Sequence, residues 1–285
     1  MTVGIVSAGA MGSAVGAALR RGGERVVTTL GGRSERTARF AERAGLELLP
    51  DLASVVRASE VVLSIVPPEA AVTVTAAIAE SAEREGVSPI VADLNAVAPA
   101  TTRGAQEVAA RAGCELVDGS ISGPPPWNPG TTRIYLSGLG AATVADLPLD
   151  GVDTIVVGPE VGSASAVKMS TASVYKGSAA LLLQALLAAR ANGVLEHVLA
   201  DLRLGAPELV TRVERRLAMA ASKSERYVGE MHEIAATQAA AGLTPSLFEA
   251  VAEVYASVAQ TALARRSPED VGTHPLLEDV LDDLR

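Results

Sequence analysis

A lysine stands at the start of the longest helix-forming stretch in the chain. Lys168 follows Gly162 and precedes a run rich in Ala and Leu that contains no proline. This composition predicts one long helix over 165–191, with the amine one turn inside its first residue. The amine could transfer a proton if burial or a neighbouring cation lowered its pKa, although a solvated surface lysine is the simpler alternative. Tyr175 and Lys176 lie further along the same helix and could assist.

A glycine turn follows the first apolar run of the chain. It reads Ser7-Ala8-Gly9-Ala10-Met11-Gly12. A dinucleotide-binding turn has the pattern G-x-G-x-x-G between a strand and a helix, and here serine replaces the first glycine. The second glycine lets the backbone approach a pyrophosphate, and the N–H groups of the following helix attract phosphate. We therefore predict that Ala8 to Gly12 bind a cofactor, against the alternative of a tight turn without a ligand.

The end of the second predicted strand bears on the choice of cofactor. An NAD enzyme usually has an acid there to bind the ribose 2′-hydroxyl. This chain has no acid at that point, and Arg33 and Ser34 follow two glycines. A guanidinium and a hydroxyl suit a 2′-phosphate, so the pattern favours NADP(H) over NAD. The alternative is an ordinary polar loop.

The predicted secondary structure that must position these residues changes near residue 160, from alternating strands and helices to helices alone. Short apolar runs alternate with helical patterns up to that point, and strand patterns cease beyond it. The alternation predicts an α/β fold, with an N-terminal Rossmann-type doubly wound sheet over 1–160 and an all-α domain over 161–285, led by the long helix. Further helices are predicted over 194–202, 206–219, 226–241 and 245–265, with an acidic closing segment, 278–285, that frays.

Composition excludes several classes of function. The chain has 285 residues and a net charge of −9, which argues against nucleic acid as a main partner. Cys114 is the single cysteine, so neither a disulfide framework nor a metal cluster is expected, and a reducing compartment fits. The N-terminus has no signal-peptide pattern, and polar residues interrupt every long apolar run. We therefore expect a cytoplasmic protein that does not span a membrane.

Several motifs occur in an order that resembles the β-hydroxyacid dehydrogenase superfamily, which includes 3-hydroxyisobutyrate and 6-phosphogluconate dehydrogenases. They are Met11-Gly12, Val66-Pro67, the partial match Asp93-Leu94-Asn95, the segment from Asp118 to Gly123, Gly130-Thr131, and the segment from Gly162 to Lys168. The segments 120–126 and 226–235 are similar to the branch with an uncharacterised phosphogluconate dehydrogenase-like C-terminal domain.

The resemblance implies roles for particular residues. Lys168 would be the general acid/base, and Ser122 with the Gly123 N–H would hold a substrate carboxylate. Val66, Pro67 and Asn95 would contact the cofactor, and Asn95 would also face the substrate. The chain departs from the family at Ala172, where the family has asparagine. It departs again at Glu230-Met231, which replace a Lys-Asp pair.

These features predict an NADP-dependent dehydrogenase or reductase acting on a small hydroxy acid or its keto or semialdehyde form. An imine reductase shares the architecture and is the first alternative, and a non-catalytic nucleotide sensor is the second. The long helix is apolar on more than one face, and such a helix must be covered on all sides. Related enzymes pack this helix against a second subunit, so the resemblance implies a homodimer. Leu183 is expected to lie in the interface.

Overall fold

The computed structural model describes residues 1–272 and 275–284. The chain divides into two compact units, Met1–Met169 and Ser170–Arg285, here called unit 1 and unit 2. The division falls inside the long helix, later than the boundary at 160 that the change of pattern suggested. The physical reason is local, because Gly162 and Ser165, at the start of the helix, are hydrogen-bonded to a strand of the sheet.

Unit 1 is built on one eight-stranded sheet. Its strands are β1 (Thr2–Val6), β2 (Arg25–Thr28), β3 (Glu47–Leu48), β4 (Val61–Ser64), β5 (Ile90–Asp93), β6 (Leu116–Ser122), β7 (Thr132–Ser137) and β8 (Val152–Gly158). Their order is β3-β2-β1-β4-β5-β6-β7-β8. The first six are parallel, β7 runs antiparallel to β6, and β8 runs parallel to β7. The parallel part has the 3-2-1-4-5-6 order of dinucleotide-binding sheets.

Helices cover both faces of this sheet. They are α1 (Ala10–Arg21), α2 (Glu35–Ala44), α3 (Leu52–Ala58), α4 (Ala71–Glu85), α5 (Pro99–Arg111), α6 (Ala141–Ala145) and the start of α7 (Ser163–Ala191). Alternate strand residues face opposite sides: Val61 and Leu63 pack into the core with α1 and α2, whereas Val62 packs with α4 and α5. Both faces of a parallel sheet must be buried, which explains the almost continuous apolar strands.

The described residues of unit 2 form helices joined by turns and loops, with no strand among them. After the greater part of α7 come α8 (Leu195–Gly205), α9 (Pro207–Val210), α10 (Val213–Ala221), α11 (Ser224–Ala240), α12 (Ser246–Val258) and α13 (Leu277–Asp283). The fold class predicted from the sequence is therefore confirmed, and α7 has nearly the predicted bounds.

Three details of unit 2 differ from the sequence prediction. The helix expected over 206–219 is broken, because Arg212 adopts a left-handed backbone with φ +52°. The helix expected to reach residue 265 ends at Val258 and is followed by a 3₁₀ turn. The closing segment forms α13 instead of fraying, since Val280 and Leu281 are buried in the core of the unit. Arg285 lies outside the described residues.

The part of α7 in unit 2 is its central helix. Leu182, Leu183 and Leu186 are buried against residues of the later helices. By length and composition α7 could span a membrane. However, it carries two buried or partly buried cations, Lys176 and Arg190, which pair with acids of α11 and α13. Its apolar composition is therefore that of a packed central helix.

Candidate nucleotide and substrate site

The residues predicted to form the site come together at the carboxyl edge of the parallel strands. Ser7 follows β1, Val66 follows β4, Asn95 follows β5, and Ser122 ends β6. Ligands of open α/β sheets bind at this edge, where the strand order reverses. In this sheet the reversal lies between β1 and β4.

The nucleotide turn, Ser7 to Gly12, has the conformation that the glycine pattern requires. Ser7 takes a left-handed backbone with φ +73°, which serine adopts with strain and glycine without it. A Cβ atom on Gly12 would lie 2.2 Å from the Ser7 carbonyl oxygen, so the close packing of α1 on the turn depends on that glycine. Ala8 is buried, and its carbonyl accepts a hydrogen bond from Ser13 Oγ at 2.6 Å.

The N-terminus of α1 is open to a ligand. A Cβ atom on Gly9 would meet nothing within 4 Å, so the backbone can be approached closely here. In the described structure no side chain caps α1 at this residue. Ala10 and Met11 form the partly exposed first turn. Free N–H groups beside an unobstructed glycine fit a pyrophosphate.

A cavity of about 390 Å³ adjoins this turn. Its walls come from the ends of β1 and β2 and the starts of α3 and α4. Ser7, Thr29, Gly31, Arg33 and Asp51 supply its polar or backbone lining, and Val6, Pro50, Leu52, Val74 and Ala77 its apolar walls. The place and the mixed lining fit the adenosine half of a dinucleotide.

The two residues predicted to select the cofactor have different local roles. Arg33 is exposed, lines the cavity, and makes no ion pair with any acid in the described ranges. Ser34 is the N-cap of α2, where its hydroxyl accepts a hydrogen bond from the Thr37 N–H at 3.3 Å. Asp51 caps α3 by accepting from the Ser54 N–H, which lowers the pKa of its carboxyl. An ionised Asp51 therefore shares the cavity with Arg33.

Asn95 is buried at the end of β5 and ties two strand ends together. Its Oδ1 accepts from the Val66 N–H at 2.6 Å, and its Nδ2 donates to Ser64 Oγ at 3.2 Å. Pro67 follows as the N-cap of a 3₁₀ turn. Because the amide of Asn95 is engaged in this way, its geometry supports a role in positioning the Val66-Pro67 segment. Direct contact with substrate or cofactor stays a prediction.

The loop after β6, residues 123–131, is held by several contacts. Gly123 has φ +117°, and a Cβ atom there would lie 2.3 Å from the Thr131 carbonyl oxygen. Thr132 Oγ1 donates to the Pro124 carbonyl at 2.6 Å. Trp127 lies under the Arg43 guanidinium, 4.2 Å from the ring centroid. These contacts fix the loop beside Ser122, the partly exposed last residue of β6.

Lys168 reaches this same part of unit 1. Its Nζ donates to the Ile121 carbonyl at 2.6 Å, one residue before Ser122. The side chain is partly buried. The structure thus brings together the predicted acid/base and the predicted carboxylate-binding residues.

Sequence reasoning did not identify the group that fixes the start of α7. Asp118 on β6 is fully buried. Its Oδ2 accepts from the Gly162 N–H at 2.9 Å, the Ser165 N–H at 3.0 Å and Ser137 Oγ at 2.8 Å. Its Oδ1 accepts from Ser165 Oγ at 2.6 Å, and that hydroxyl is 2.9 Å from Thr102 Oγ1. A carboxylate at a helix N-terminus is stabilised by the helix dipole and its free N–H groups.

The Asp118 network consists of Asp118, Thr102, Ser137, Gly162 and Ser165. It accounts for the presence of glycine at position 162, the first glycine of the lysine motif. Gly162 has φ +106°, and a Cβ atom there would lie 2.8 Å from Arg103 Nη1. Asp118 is the first residue of the substrate-loop motif, and that position was the one available sign of its importance. Ala164, which replaces the second glycine, is fully buried, and its carbonyl accepts from Ser120 Oγ at 2.9 Å.

The other predicted site residues of α7 belong to unit 2. Lys176 forms an ion pair with the buried Glu230, and its Nζ lies 4.3 Å from the Tyr227 ring centroid. Arg226 pairs with Glu230 as well, at 3.1 Å. Burial raises the pKa of the Tyr227 hydroxyl, with a smaller opposing effect from Arg226. Tyr175 is 67% exposed.

The two departures from the family pattern, at Ala172 and at Glu230-Met231, lie in buried positions. Ala172 is 3% exposed, so the missing asparagine is replaced by a buried methyl group. Glu230 provides the counter-charge for Lys176, and Met231 is fully buried in unit 2. At the two positions where the family has Lys and Asp, this chain therefore has an acid, Glu230, that neutralises Lys176, and a core residue, Met231.

Two protein-family models match the chain. Residues 2–92 match the family described as NADP oxidoreductase, coenzyme F420-dependent, and residues 189–258 match a domain of unknown function, DUF1932. A curated relative, an uncharacterised 28.5 kDa protein of Methanothermus fervidus, is 30% identical over 176 residues. That alignment covers 61% of this chain, and it spans 65% of the length of the relative.

Solved structures share the fold. Conserved protein MTH1747, of unknown function and described as similar to 3-hydroxyacid dehydrogenases, is 28% identical, with a TM-score of 0.68 and coverage of 91% of this chain and 97% of the other. The 3-hydroxyisobutyrate dehydrogenase of Mycobacterium tuberculosis, with L-serine, shares the fold at 19% identity, a TM-score of 0.70 and coverage of 100% and 99%. An imine reductase of Myxococcus stipitatus with NADP⁺ does so at 20% identity, a TM-score of 0.60 and coverage of 100% of both chains.

Fold, nucleotide turn and family models thus support nicotinamide-nucleotide-dependent oxidoreduction as the class of this protein. Within that class they support the β-hydroxyacid dehydrogenase superfamily, which the motifs of the chain resemble.

Proposed function

We propose that this protein is an NADP-dependent dehydrogenase or reductase that acts on a small hydroxy acid or on the corresponding keto acid or semialdehyde. The observation that carries the proposal is the position of Lys168. Its amine is held 2.6 Å from the Ile121 carbonyl, next to Ser122 and Gly123, by a helix whose N-terminus is bonded to the same strand. A proton donor beside an anion-binding loop suits reduction of a carbonyl that carries a carboxylate.

The bound nicotinamide would supply or accept the hydride. In reduction, Lys168 donates a proton to the substrate oxygen as the carbonyl carbon gains hydride, and in oxidation the same amine takes the hydroxyl proton. The Ser122 hydroxyl and the Gly123 N–H hold the carboxylate and thereby orient the reacting carbon. The contacts that hold the loop favour one orientation of the substrate, and correct orientation lowers the barrier.

Preference for NADP(H) rests on Arg33. Its guanidinium lines the adenosine cavity, and the strand end before it has no acid to bind a ribose hydroxyl. Ser34 Oγ also lies 3.2 Å from Thr37 Oγ1, and with Thr37 as the donor of that bond the Ser34 proton is available to a 2′-phosphate. Asp51 in the same cavity would repel that phosphate, and its effect opposes that of Arg33.

The proposal is tested with NADPH oxidation on a panel of keto acids, semialdehydes and cyclic imines, followed at 340 nm. We expect turnover of a keto acid or semialdehyde by the parent protein, and a loss of roughly 10²–10⁴-fold in turnover for Lys168→Ala, the contribution of a general acid/base. Dinucleotide affinity should remain nearly intact in that variant. Turnover by Lys168→Ala within a few-fold of the parent would remove Lys168 from the mechanism and leave Tyr175 or Lys176 as the donor.

Imine reduction is the second candidate, and Ala172 is the observation that favours it. The hydroxyacid pattern has an amide one turn after the lysine, whereas this chain buries a methyl group there. Turnover of cyclic imines alone in the same panel would select this activity. Dinucleotide binding with no turnover of any substrate would instead support a nucleotide sensor.

Assembly as a cytoplasmic homodimer completes the proposal. α7 has a partly uncovered apolar side in unit 2, where Val174, Tyr175 and Leu181 are 65%, 67% and 71% exposed. Large exposed apolar side chains in a row along one helix are typical of an interface. A second copy of α7 would cover them around a two-fold axis.

A further inference from the structure

We propose that the Ser7 hydroxyl donates a hydrogen bond to a phosphate oxygen of the bound dinucleotide. The inference rests on the proposed cofactor and adds a residue to its binding site. In the glycine pattern this position has no side chain, so the contact would be a property of this chain.

The backbone of Ser7 is the first observation. Its φ of +73° lies in the left-handed region, and within the described ranges only Ser7 and Arg212 are non-glycine residues with positive φ. The conformation cannot relax easily, because the Ser7 carbonyl packs against Gly12, where a Cβ would be only 2.2 Å away. A side chain held in a strained conformation next to a ligand site suggests a functional contact.

The side chain of Ser7 is the second observation. Ser7 is partly buried and lines the adenosine cavity together with Arg33. Its hydroxyl has no hydrogen-bond partner among residues 1–272 and 275–284, whereas neighbouring hydroxyls are bonded within the chain. Thr28 donates to the Ile5 carbonyl at 2.7 Å, and Thr29 donates to the Pro50 carbonyl at 3.3 Å.

These observations together point to an anionic acceptor. A hydroxyl without a partner, placed beside an open helix N-terminus and a guanidinium, has phosphate oxygens as its natural acceptors. A dinucleotide offers two sources, the pyrophosphate and the 2′-phosphate. Both would be bound by the same chemistry, and a comparison of NADPH with NADH separates them.

The test uses Ser7→Ala, which removes the hydroxyl and keeps the strain, and Ser7→Gly, which removes both. Ser59→Ala is the matched control, because the Ser59 hydroxyl is buried and donates to the Val55 carbonyl, away from the cavity. Dissociation constants for NADPH and NADH are measured by fluorescence titration, and melting temperatures are measured without ligand.

We expect both Ser7 variants to weaken NADPH binding by roughly 10-fold, the effect of one hydrogen bond to a charged group. An equal loss for NADH would assign the contact to the pyrophosphate, and a loss for NADPH alone would assign it to the 2′-phosphate. Ser7→Gly should raise the melting temperature by about 1–3 °C because it relieves the left-handed strain. Ser59→Ala should leave both dissociation constants within two-fold.

A Ser7→Gly variant that binds both dinucleotides as tightly as the parent would overturn the inference while leaving the proposed function intact. A parent protein that binds neither dinucleotide would overturn the proposed function, and the Ser7 contact with it.

Discussion

Arg33 is the residue on which the proposed preference for NADP(H) depends. The absence of an acid at the end of β2 was visible in the sequence, but whether the arginine faces the cofactor was not. In the structure its side chain lines the adenosine cavity, whereas the neighbouring Arg39 lies on the exposed surface of α2, near Glu35. Two arginines six residues apart in sequence are therefore expected to behave differently.

Replacement of Arg33 tests this at the residue scale. Arg33→Ala should weaken NADPH binding by roughly 1–3 kcal/mol, the contribution of a charge-assisted hydrogen bond, and should leave NADH binding almost unchanged. Fluorescence titration measures both. Arg39→Ala, the matched control, should change neither, because exposed i,i+4 pairs contribute little. Equal affinity of the parent for NADPH and NADH would refute the preference itself.

At the scale of elements, the start of α7 determines where the proposed proton donor stands. Lys168 has a long flexible side chain, so its position depends on the backbone that carries it. The Asp118 network fixes that backbone to β6, β7 and α5. The carboxylate accepts four hydrogen bonds and is fully buried, so its removal would leave several buried donors without a partner.

Asp118→Ala should lower the free energy of unfolding by roughly 2–4 kcal/mol, since each unsatisfied buried donor costs about 1–3 kcal/mol and partial rearrangement recovers some of it. It should also lower turnover, because the N-terminus of α7 is no longer held. Denaturant unfolding and steady-state kinetics measure the two effects.

Thr102→Val is the milder comparison within the same network, because it removes one hydroxyl that bonds Ser165. We expect a loss of about 1 kcal/mol and nearly normal turnover. If Asp118→Ala unfolded at the same denaturant concentration as the parent, the network would not stabilise the fold.

At the scale of the whole molecule, the question is what covers α7. The sequence suggested that the later helices were too few to bury it, and Leu183 was expected in the interface. That expectation was wrong for Leu183, which is 1% exposed and lies in the core of unit 2. A charge at that position would unfold the unit whether or not a dimer exists. Leu181, which is 71% exposed, is the informative position.

Leu181→Glu should break the proposed homodimer and leave unit 2 folded, since the side chain makes few contacts within its own chain. An obligate dimer interface of this type buries more than ~2,000 Å² in total, and a charge inside it is strongly unfavourable. Light scattering measures the mass, and circular dichroism measures the helix content.

Leu243→Glu is the control for this test, because Leu243 is 61% exposed in the turn after α11 and lies off α7. It should leave the assembly unchanged. A parent protein that is monomeric and active at micromolar concentration would remove the dimer from the proposal.

The sequence by itself determined the fold class, the resemblance to the superfamily and the position of the nucleotide turn. These depend on local information, namely alternation of apolar residues, glycines at fixed spacing and helix composition, and such signals act within a few residues of the chain. The bounds of α7 belong to the same group.

Tertiary structure alone decided the roles that depend on distant parts of the chain. Asp118 holds a helix that begins 45 residues later, and Glu230 neutralises Lys176 from another helix. The strained φ of Ser7 is likewise maintained by packing against Gly12. Charges and hydrogen-bonding groups have no periodicity in sequence, so their partners are known only when the fold brings them within a few ångströms of each other.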